Sequence, residues 1–237
     1  MNLLRKYIKN ARFAKSFEQK RRLLEDSRFT MPWEMRYPCL NDATSTTGFD
    51  SHYLFHTAWA ARILANTRPN HHVDISSCLR FVSIVSAFIP IEFYDYRPAQ
   101  LNLPGLQSKQ ADLMNLPFSD CSISSISCMH VIEHIGLERY GDPLDPRGDL
   151  KAIAELKRVT ANNGDLLFVV PLGSQPIIQY NAHRIYTYDQ IISYFAEFNL
   201  INFAYIDDAG NFTANASKEI TNNQTYGCGC FYFKKYS

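Results

Sequence analysis

The sequence lacks several features that mark whole classes of protein. Its 237 residues carry a formal net charge of +1, whereas general nucleic-acid binders usually have a large basic excess, so no nucleic-acid partner is expected. No uncharged apolar run reaches about 18 residues, the length that predicts a membrane span. The first residues also lack the apolar stretch of a secretory signal, so we predict a cytoplasmic protein.

The six cysteines include no Cys-x-x-Cys pair, the spacing typical of redox and zinc motifs. Cys121 and Cys128 flank a predicted strand, and Cys228 and Cys230 alternate within another. Reduced, mostly buried thiols are therefore expected, and no metal ligands are assigned.

The nearly balanced charge conceals a basic N-terminus. Residues 1–24 hold eight basic residues and one acidic residue, a net +7 that leaves −6 for the rest of the chain. The apolar residues on one face of the predicted helix are Leu4, Ile8, Ala11 and Phe17. Residues 1–50 are predicted to form a helical extension or cap. Its basic segment either packs on its own domain or makes a peripheral contact with an anionic membrane or an acidic protein. An organellar transit peptide is a third interpretation.

From about residue 70 the hydrophobic pattern alternates between strands and helices, after a first predicted helix. Helices are predicted at residues 53–64, 81–88, 151–159 and 189–198, and strands at 72–75, 91–96, 107–112, 123–131, 165–171, 202–206 and 228–233. This alternation predicts an α/β domain over residues 51–237. We expect a Rossmann-like, doubly wound, mostly parallel seven-stranded sheet with helices on both faces, and ligands bind such sheets beyond the carboxyl ends of the strands.

Five motifs in this order resemble the class I S-adenosylmethionine-dependent methyltransferases. They are His72-Val-Asp-Ile-Ser-Ser-Cys78, Asp95, Asp112-Leu-Met-Asn-Leu-Pro-Phe-Ser-Asp120, His130-Val-Ile-Glu-His134 and Glu155-Leu-Lys-Arg-Val-Thr-Ala-Asn-Asn-Gly164. The resemblance implies S-adenosylmethionine as the cofactor, with Asp95 on the ribose hydroxyls and Asp112 on the adenine amine. The other cofactor-lining residues that it implies are Asp74, Ser76, Ser77, Leu113 and His130.

Three further stretches resemble a little-characterised branch of that family, whose members often accompany bacterial surface-polysaccharide enzymes. They are Trp59–Arg62, His130–Asp145 and Asn181–Arg184. This resemblance implies O-methylation of a sugar or glycan intermediate.

The turn after Asp74 departs from the family pattern. Glycine normally lets the backbone approach the cofactor closely, but Ser76, Ser77 and Cys78 stand there, and no glycine follows until Gly105. The alternative function is therefore a non-catalytic binding or scaffold protein with a degenerate cofactor site.

Two histidines are candidates for the base that a hydroxyl acceptor requires. They are His134 at a strand end and His183 beyond the fifth strand. The alternative for His134 is a structural hydrogen bond at the strand end, and the alternative for His183 and Arg184 is that they only fix a loop. Four nearby polar residues are candidates for selecting the substrate: Arg139, Tyr140, Asp142 and Arg184. The loop that carries Arg139, Tyr140 and Asp142 is equally consistent with a solvated turn.

His130-Val-Ile-Glu-His134 also fits the H-x-x-E-H pattern of one metallopeptidase group. That chemistry needs both histidines on one helix face, whereas a strand-like run precedes this motif. On a continuous strand the two histidines would be about 13 Å apart. Zinc hydrolysis is therefore the weakest of the three functional hypotheses.

Overall fold

The computed structural model describes residues 2–26 and 28–237, with side chains from residue 11 onward. They form two compact units, Met1–Phe49 and Asp50–Ser237. The first contains helix α1 (Asn2–Leu24), and within it the rings of Phe17 and Trp33 pack edge to face with centroids 4.9 Å apart. The predicted N-terminal helix is confirmed, while the side chains of Leu4 and Ile8 lie outside the described residues. None of the helices in the described ranges has the length and apolar character needed to cross a membrane.

The second unit alternates helices and strands. Its helices are α2 (Ser51–Thr67), α3 (Leu79–Val85), α4 (Gly148–Val159) and α5 (Tyr188–Tyr194). Its strands are β1 (His72–Ile75), β2 (Ile91–Asp95), β3 (Leu106–Gln110), β4 (Ile123–Met129), β5 (Thr160–Leu172), β6 (Ile177–Gln179), β7 (His183–Ile185), β8 (Phe198–Ile206), β9 (Phe212–Thr213) and β10 (Gly227–Lys235).

Eight strands form the main sheet, in the order β3-β2-β1-β4-β5-β10-β8-β9. The five strands from β3 to β5 are parallel, and β10 is inserted antiparallel between β5 and β8. The predicted doubly wound sheet is therefore confirmed, with one strand more than expected. The additional strand is the two-residue β9, which pairs with β8 at the sheet edge and is too short to leave a hydrophobic pattern.

Helices cover both faces of the sheet. On one face α2 and α3 bury Trp59, Leu64 and Phe81 against side chains of β2, β5, β8 and β10. On the other face α4 and α5 bury residues such as Leu156 and Ile191 against the opposite side chains of the same sheet. Because parallel strands are covered on both sides, their sequences are continuously apolar.

Two local features at the functional edge differ from what the sequence predicts. The strand predicted through Val131 ends at Met129, because His130 adopts a left-handed backbone with φ of 58° that cannot continue a strand. A short antiparallel hairpin of β6 and β7, stabilised by pairs such as Ile177 with Ile185, was not predicted.

Candidate functional site

The carboxyl ends of β1, β2 and β4 border a cavity of about 280 Å³, just below the usual range of about 300–1,000 Å³ for ligand pockets. It is lined by Tyr53, Ser76, Asp95, Tyr96, Arg97, Ala111, Asp112, Leu113, Met114, His130, Val131, His134, Ile135, Tyr140, Asp142 and Pro143. Its position is the one expected for a ligand site in an open α/β sheet.

A chain of buried hydrogen bonds lies behind the cavity wall. The ring of His72 contacts Ser125 Oγ and Ser127 Oγ, each at 2.8 Å, and Ser127 donates onward to the carboxylate of Asp74. Since Ser127 uses its proton on Asp74, its oxygen accepts from His72 Nε2, and Nδ1 accepts from Ser125. Burial lowers the pKa of His72 to about 3, which keeps the ring neutral, and raises the pKa of Asp74 to about 6. Asp74 is fully buried and does not line the cavity.

Asp74 instead organises the turn that follows β1. Its carboxylate accepts the backbone N–H of Ser77 at 3.0 Å, and Ser77 Oγ accepts the N–H of Met129 at 3.0 Å. Ser76 has a left-handed φ of 55° and donates its hydroxyl to the carbonyl oxygen of Tyr94 at 3.1 Å. Both serine hydroxyls in the turn after β1 are thus bonded to the backbone of adjacent strands, Ser76 to Tyr94 and Ser77 to Met129. Of the two, Ser76 lines the cavity.

Two acidic residues reach the cavity, the half-buried Asp95 at the end of β2 and the exposed Asp112 just after β3. Asp95 accepts the N–H of Arg97 through Oδ1 at 2.7 Å, and Asp112 accepts the N–H of Met114 through Oδ1 at 2.8 Å. Each bond fixes its carboxylate and leaves the second oxygen for a ligand. The side chain of Leu113 is buried beside them and contributes an apolar wall.

His130 lies at the centre of the site. Its Nδ1 is 2.9 Å from Glu133 Oε1, and its Nε2 is 3.3 Å from Cys228 Sγ on β10. Burial lowers the pKa of His130 to about 4 and raises that of Glu133 to about 7. The neutral ring therefore donates from Nδ1 to Glu133 and accepts from the thiol, whose pKa burial raises well above its usual value.

The first turns of α2 cover His130. The ring of His52 stacks on it with centroids 5.6 Å apart, and the rings of Tyr53 and His56 lie at 5.4 and 5.1 Å. Asp50 positions this helix end by capping it, accepting the N–H of Tyr53 at 3.1 Å. Burial lowers the pKa of His52 to about 4 and of His56 to about 3, so both rings are neutral at pH 7.

The two candidate bases occupy different positions. His134 lines the cavity, with Nδ1 2.8 Å from the carbonyl oxygen of Ala182 and Nε2 3.8 Å from Glu133 Oε1. Because Nδ1 donates to that carbonyl, Nε2 carries the lone pair. His183 is outside the cavity lining, where its ring stacks on Tyr226 at 5.0 Å. Burial lowers the pKa of His134 and of His183, so both are neutral at pH 7.

The four predicted substrate residues divide into two groups. Tyr140 and Asp142 line the cavity, whereas Arg139 and Arg184 do not. Arg139 donates to the carbonyl oxygen of Ala182 at 2.9 Å and lies 5.0 Å over the ring of Tyr140, so it supports the cavity loop from outside.

Arg184 is buried. It donates to the carbonyl oxygen of Ile135 at 2.7 Å and lies 3.5 Å from the carboxylate of Asp149. These contacts are those of a side chain that fixes the loop, the alternative to substrate selection.

The metallopeptidase arrangement is absent from this segment. His130 follows β4, and a single 3-10 turn of Ile132–His134 comes next, so the two histidines do not share a helix face. The distance expected for a continuous strand does not apply, because the strand ends at Met129 and the turn brings both imidazoles to the same oxygen of Glu133.

Three solved structures show which fold this unit has. The N-methyltransferase NodS from Bradyrhizobium japonicum WM9, solved with S-adenosyl-L-homocysteine, is 13% identical with a TM-score of 0.53, over 94% of this chain and 98% of that one. The 1,6-didemethyltoxoflavin-N1-methyltransferase from Burkholderia thailandensis, with bound S-adenosylhomocysteine, is 10% identical with a TM-score of 0.52, over 77% and 79%.

The geranyl diphosphate C-methyltransferase from Streptomyces coelicolor A3(2) is 9% identical, with a TM-score of 0.53 over 75% of this chain and 76% of that one. The fold is that of the class I methyltransferases. At such identities the similarity establishes the methyltransferase fold alone.

Sequence comparisons add little to this assignment. The family described as "Caenorhabditis protein of unknown function, DUF268" matches residues 119–228, which run from the loop before β4 into β10. A search of curated proteins finds no match. The branch associated with polysaccharide enzymes gains no support from either result.

Several residues at the edge of this methyltransferase fold were missed from the sequence. The i, i+4 spacing of His52 and His56 on α2 is a recognisable signal for paired imidazoles, but nothing local shows that this helix end covers β4. Glu133 was noted only as the residue next to His134, and its hydrogen bond with His130 was not predicted. Cys228 and Tyr226 reach the site only through the antiparallel insertion of β10.

Proposed function

We propose that this protein is an S-adenosylmethionine-dependent methyltransferase that transfers a methyl group to a hydroxyl of a sugar or glycan. The observation that carries the proposal is the convergence of Asp95, Asp112 and His134 on one cavity at the carboxyl edge of the sheet. The fold of the three solved methyltransferases supports it.

The cavity fits the parts of that cofactor. The free oxygen of Asp95 suits the ribose hydroxyls, and Asp112 beside the buried Leu113 suits the adenine amine and ring. Ser76, with its left-handed backbone, presents the turn where the methionine part would lie. S-adenosylmethionine supplies an electrophilic methyl carbon when bound, so the protein's task is placement.

His134 is the better of the two base candidates. The Nδ1–H of His134 donates to the carbonyl oxygen of Ala182, so the lone pair on Nε2 is available to accept a proton. Burial lowers the pKa of His134, so the ring is neutral at pH 7. The proton taken from an acceptor hydroxyl would sit on Nε2 beside Glu133 Oε1, 3.8 Å away, where a carboxylate stabilises the imidazolium. Tyr140 stands edge to face against the His134 ring at 5.5 Å and provides an aromatic surface for the acceptor.

Calorimetric titration with S-adenosylhomocysteine tests the cofactor site. Asp95→Asn removes charge-assisted hydrogen bonds that contribute about 3 kcal/mol together, so binding should weaken about 100-fold. Asp120→Asn is the matched control, because Asp120 pairs with Arg158 away from the cavity. Unchanged affinity in Asp95→Asn would refute this assignment of the ribose site.

The second candidate function is a non-catalytic binding or scaffold protein. The left-handed Ser76, which bears a Cβ where the family has glycine, favours it. If the wild-type protein fails to bind S-adenosylmethionine or S-adenosylhomocysteine at millimolar concentration, this second function replaces the first.

For catalysis, nucleotide sugars and glycans are the acceptors to screen first. His134→Gln should lower methyl transfer about 10²–10⁴-fold while S-adenosylhomocysteine binding is retained. Full activity of this variant would assign the proton transfer elsewhere.

A further inference from the structure

Five of the chain's seven histidines gather at one end of the sheet: His52, His56, His130, His134 and His183. Three residues of this region bring ligand-type atoms together. One ligand atom from each of His52, His130 and Cys228 lies within 4.8 Å of the other two. These residues come from α2, from the turn after β4 and from β10, so their approach is a product of the tertiary fold.

The distances suit a tetrahedral ion. Zinc binds imidazole nitrogen at about 2.0–2.1 Å and thiolate sulfur at about 2.3 Å, which places two ligand atoms about 3.4–3.6 Å apart. His130 Nε2 and Cys228 Sγ are already 3.3 Å apart. His52 is half-buried at the start of α2 and has to move by at most about 1.4 Å to complete the set.

The hydrogen bond on the far side of His130 is the second independent observation. Nδ1 donates to Glu133 Oε1 at 2.9 Å, and both side chains are buried. Metal-bound histidines commonly donate their second N–H to a carboxylate, which fixes the tautomer and makes the other nitrogen a better ligand. Glu133 Oε2 is buried without a hydrogen-bond partner, so this carboxyl is held in place chiefly by its contacts to the histidines.

We propose that His52, His130 and Cys228 bind a zinc-class divalent cation. Two neutral imidazoles with one thiolate form a borderline-soft donor set, which suits Zn²⁺ and disfavours Mg²⁺ and Ca²⁺. On binding, the Cys228 thiol releases its proton to solvent and a metal–sulfur bond forms in place of the S–H···N contact with His130.

Three protein ligands leave one tetrahedral position for water or a substrate oxygen, as in catalytic zinc sites. His130 also lines the cavity, so the metal would lie beside it. This inference is independent of the proposed methyl transfer, because it rests on the three ligands alone.

Cobalt(II) titration of the metal-free full-length protein is the direct test, since a cobalt–thiolate bond gives a charge-transfer band that imidazole ligation lacks. We expect one equivalent of Co²⁺ to produce this band and one equivalent of Zn²⁺ to abolish it. Absence of the band, or binding without it, overturns the proposal without any variant.

Variants then identify the ligands. Cys228→Ser should remove the charge-transfer band. Cys230→Ser should retain it, because Cys230 is equally buried on the same strand, with its sulfur 4.0 Å from that of Cys228, but is outside the ligand set. Circular dichroism checks that both variants are folded. A band that survives in Cys228→Ser would refute the assignment.

The substitution Glu133→Gln tests whether the hydrogen bond between Glu133 and His130 supports metal binding or only stabilises the core. Removal of the charge behind His130 should weaken Zn²⁺ binding 10–100-fold, measured by competition with a chromophoric chelator. Unchanged zinc affinity would contradict the role given to Glu133. If the wild-type protein binds zinc but neither S-adenosylmethionine nor S-adenosylhomocysteine, the proposed function is refuted and this inference stands.

Discussion

The buried His72 should lower the free energy of unfolding at acid pH by an amount that can be calculated. Its ring is fully buried between two serine hydroxyls, and burial lowers its pKa from 6.5 to about 3. Below pH 6.5 the unfolded chain takes up a proton that the folded chain refuses, so stability is lost as the pH falls towards the folded pKa. Each pH unit between the unfolded pKa of 6.5 and the folded pKa of about 3 corresponds to about 1.4 kcal/mol. The interval from pH 6.5 down to pH 4.5 spans two such units, so His72 alone should cost about 3 kcal/mol between pH 7.5 and pH 4.5.

The substitution His72→Gln removes the titrating group and keeps an amide N–H for the hydroxyl of Ser127. Urea unfolding of both proteins at several pH values then gives a difference curve. Asp74 and Glu133 have raised pKa values and therefore change stability in the opposite direction, losing it as the pH rises. These contributions occur in both proteins and largely cancel in the difference.

We expect the free energy of unfolding of the wild type, relative to that of His72→Gln, to fall by about 3 kcal/mol as the pH falls from 7.5 to 4.5. His56→Gln serves as an independent comparison, because burial also lowers the pKa of His56 to about 3. Parallel stability curves for wild type and His72→Gln would show that His72 is charged in the folded protein, which would refute the hydrogen-bond directions given for this chain.

Three further predictions concern the backbone and the N-terminus. Gly136→Ala should lower the free energy of unfolding by at least about 2 kcal/mol, because φ is 77° and a Cβ would overlap the Asp145 carbonyl oxygen; urea unfolding measures the loss, and an unchanged free energy would contradict it. Ser76→Gly should change that free energy by less than about 1 kcal/mol, since relief of the left-handed strain offsets the hydrogen bond lost to Tyr94, and a larger loss in urea unfolding would contradict this. Deletion of residues 1–24 should reduce cosedimentation with anionic vesicles, and equal partitioning would exclude the membrane contact.

Much of the fold is readable from local pattern. The continuous apolar run that forms β5, the alternation of Cys228 and Cys230 in β10 and the acidic end of β2 each follow from neighbouring residues. The strands and the functional edge were therefore predictable from the sequence. The short β6–β7 hairpin was not, because three-residue strands with exposed side chains carry no periodic signal.

The candidate site likewise contains residues that the sequence predicts and others that it does not. Asp95, Asp112 and His134, which line the cavity, could be predicted from the sequence because each lies at or shortly after the carboxyl end of a strand. The carboxyl ends of parallel strands meet at one edge of the sheet. The sequence could not show that Asp74 turns inward, since its orientation depends on Ser127 of the adjacent strand.

Only the tertiary structure brings His52, His130 and Cys228 together. One belongs to a helix that precedes the sheet and another to an antiparallel strand at the chain's end. Sequence pattern reports short-range periodicity and strand ends, whereas contacts between distant segments depend on how helices pack across the sheet.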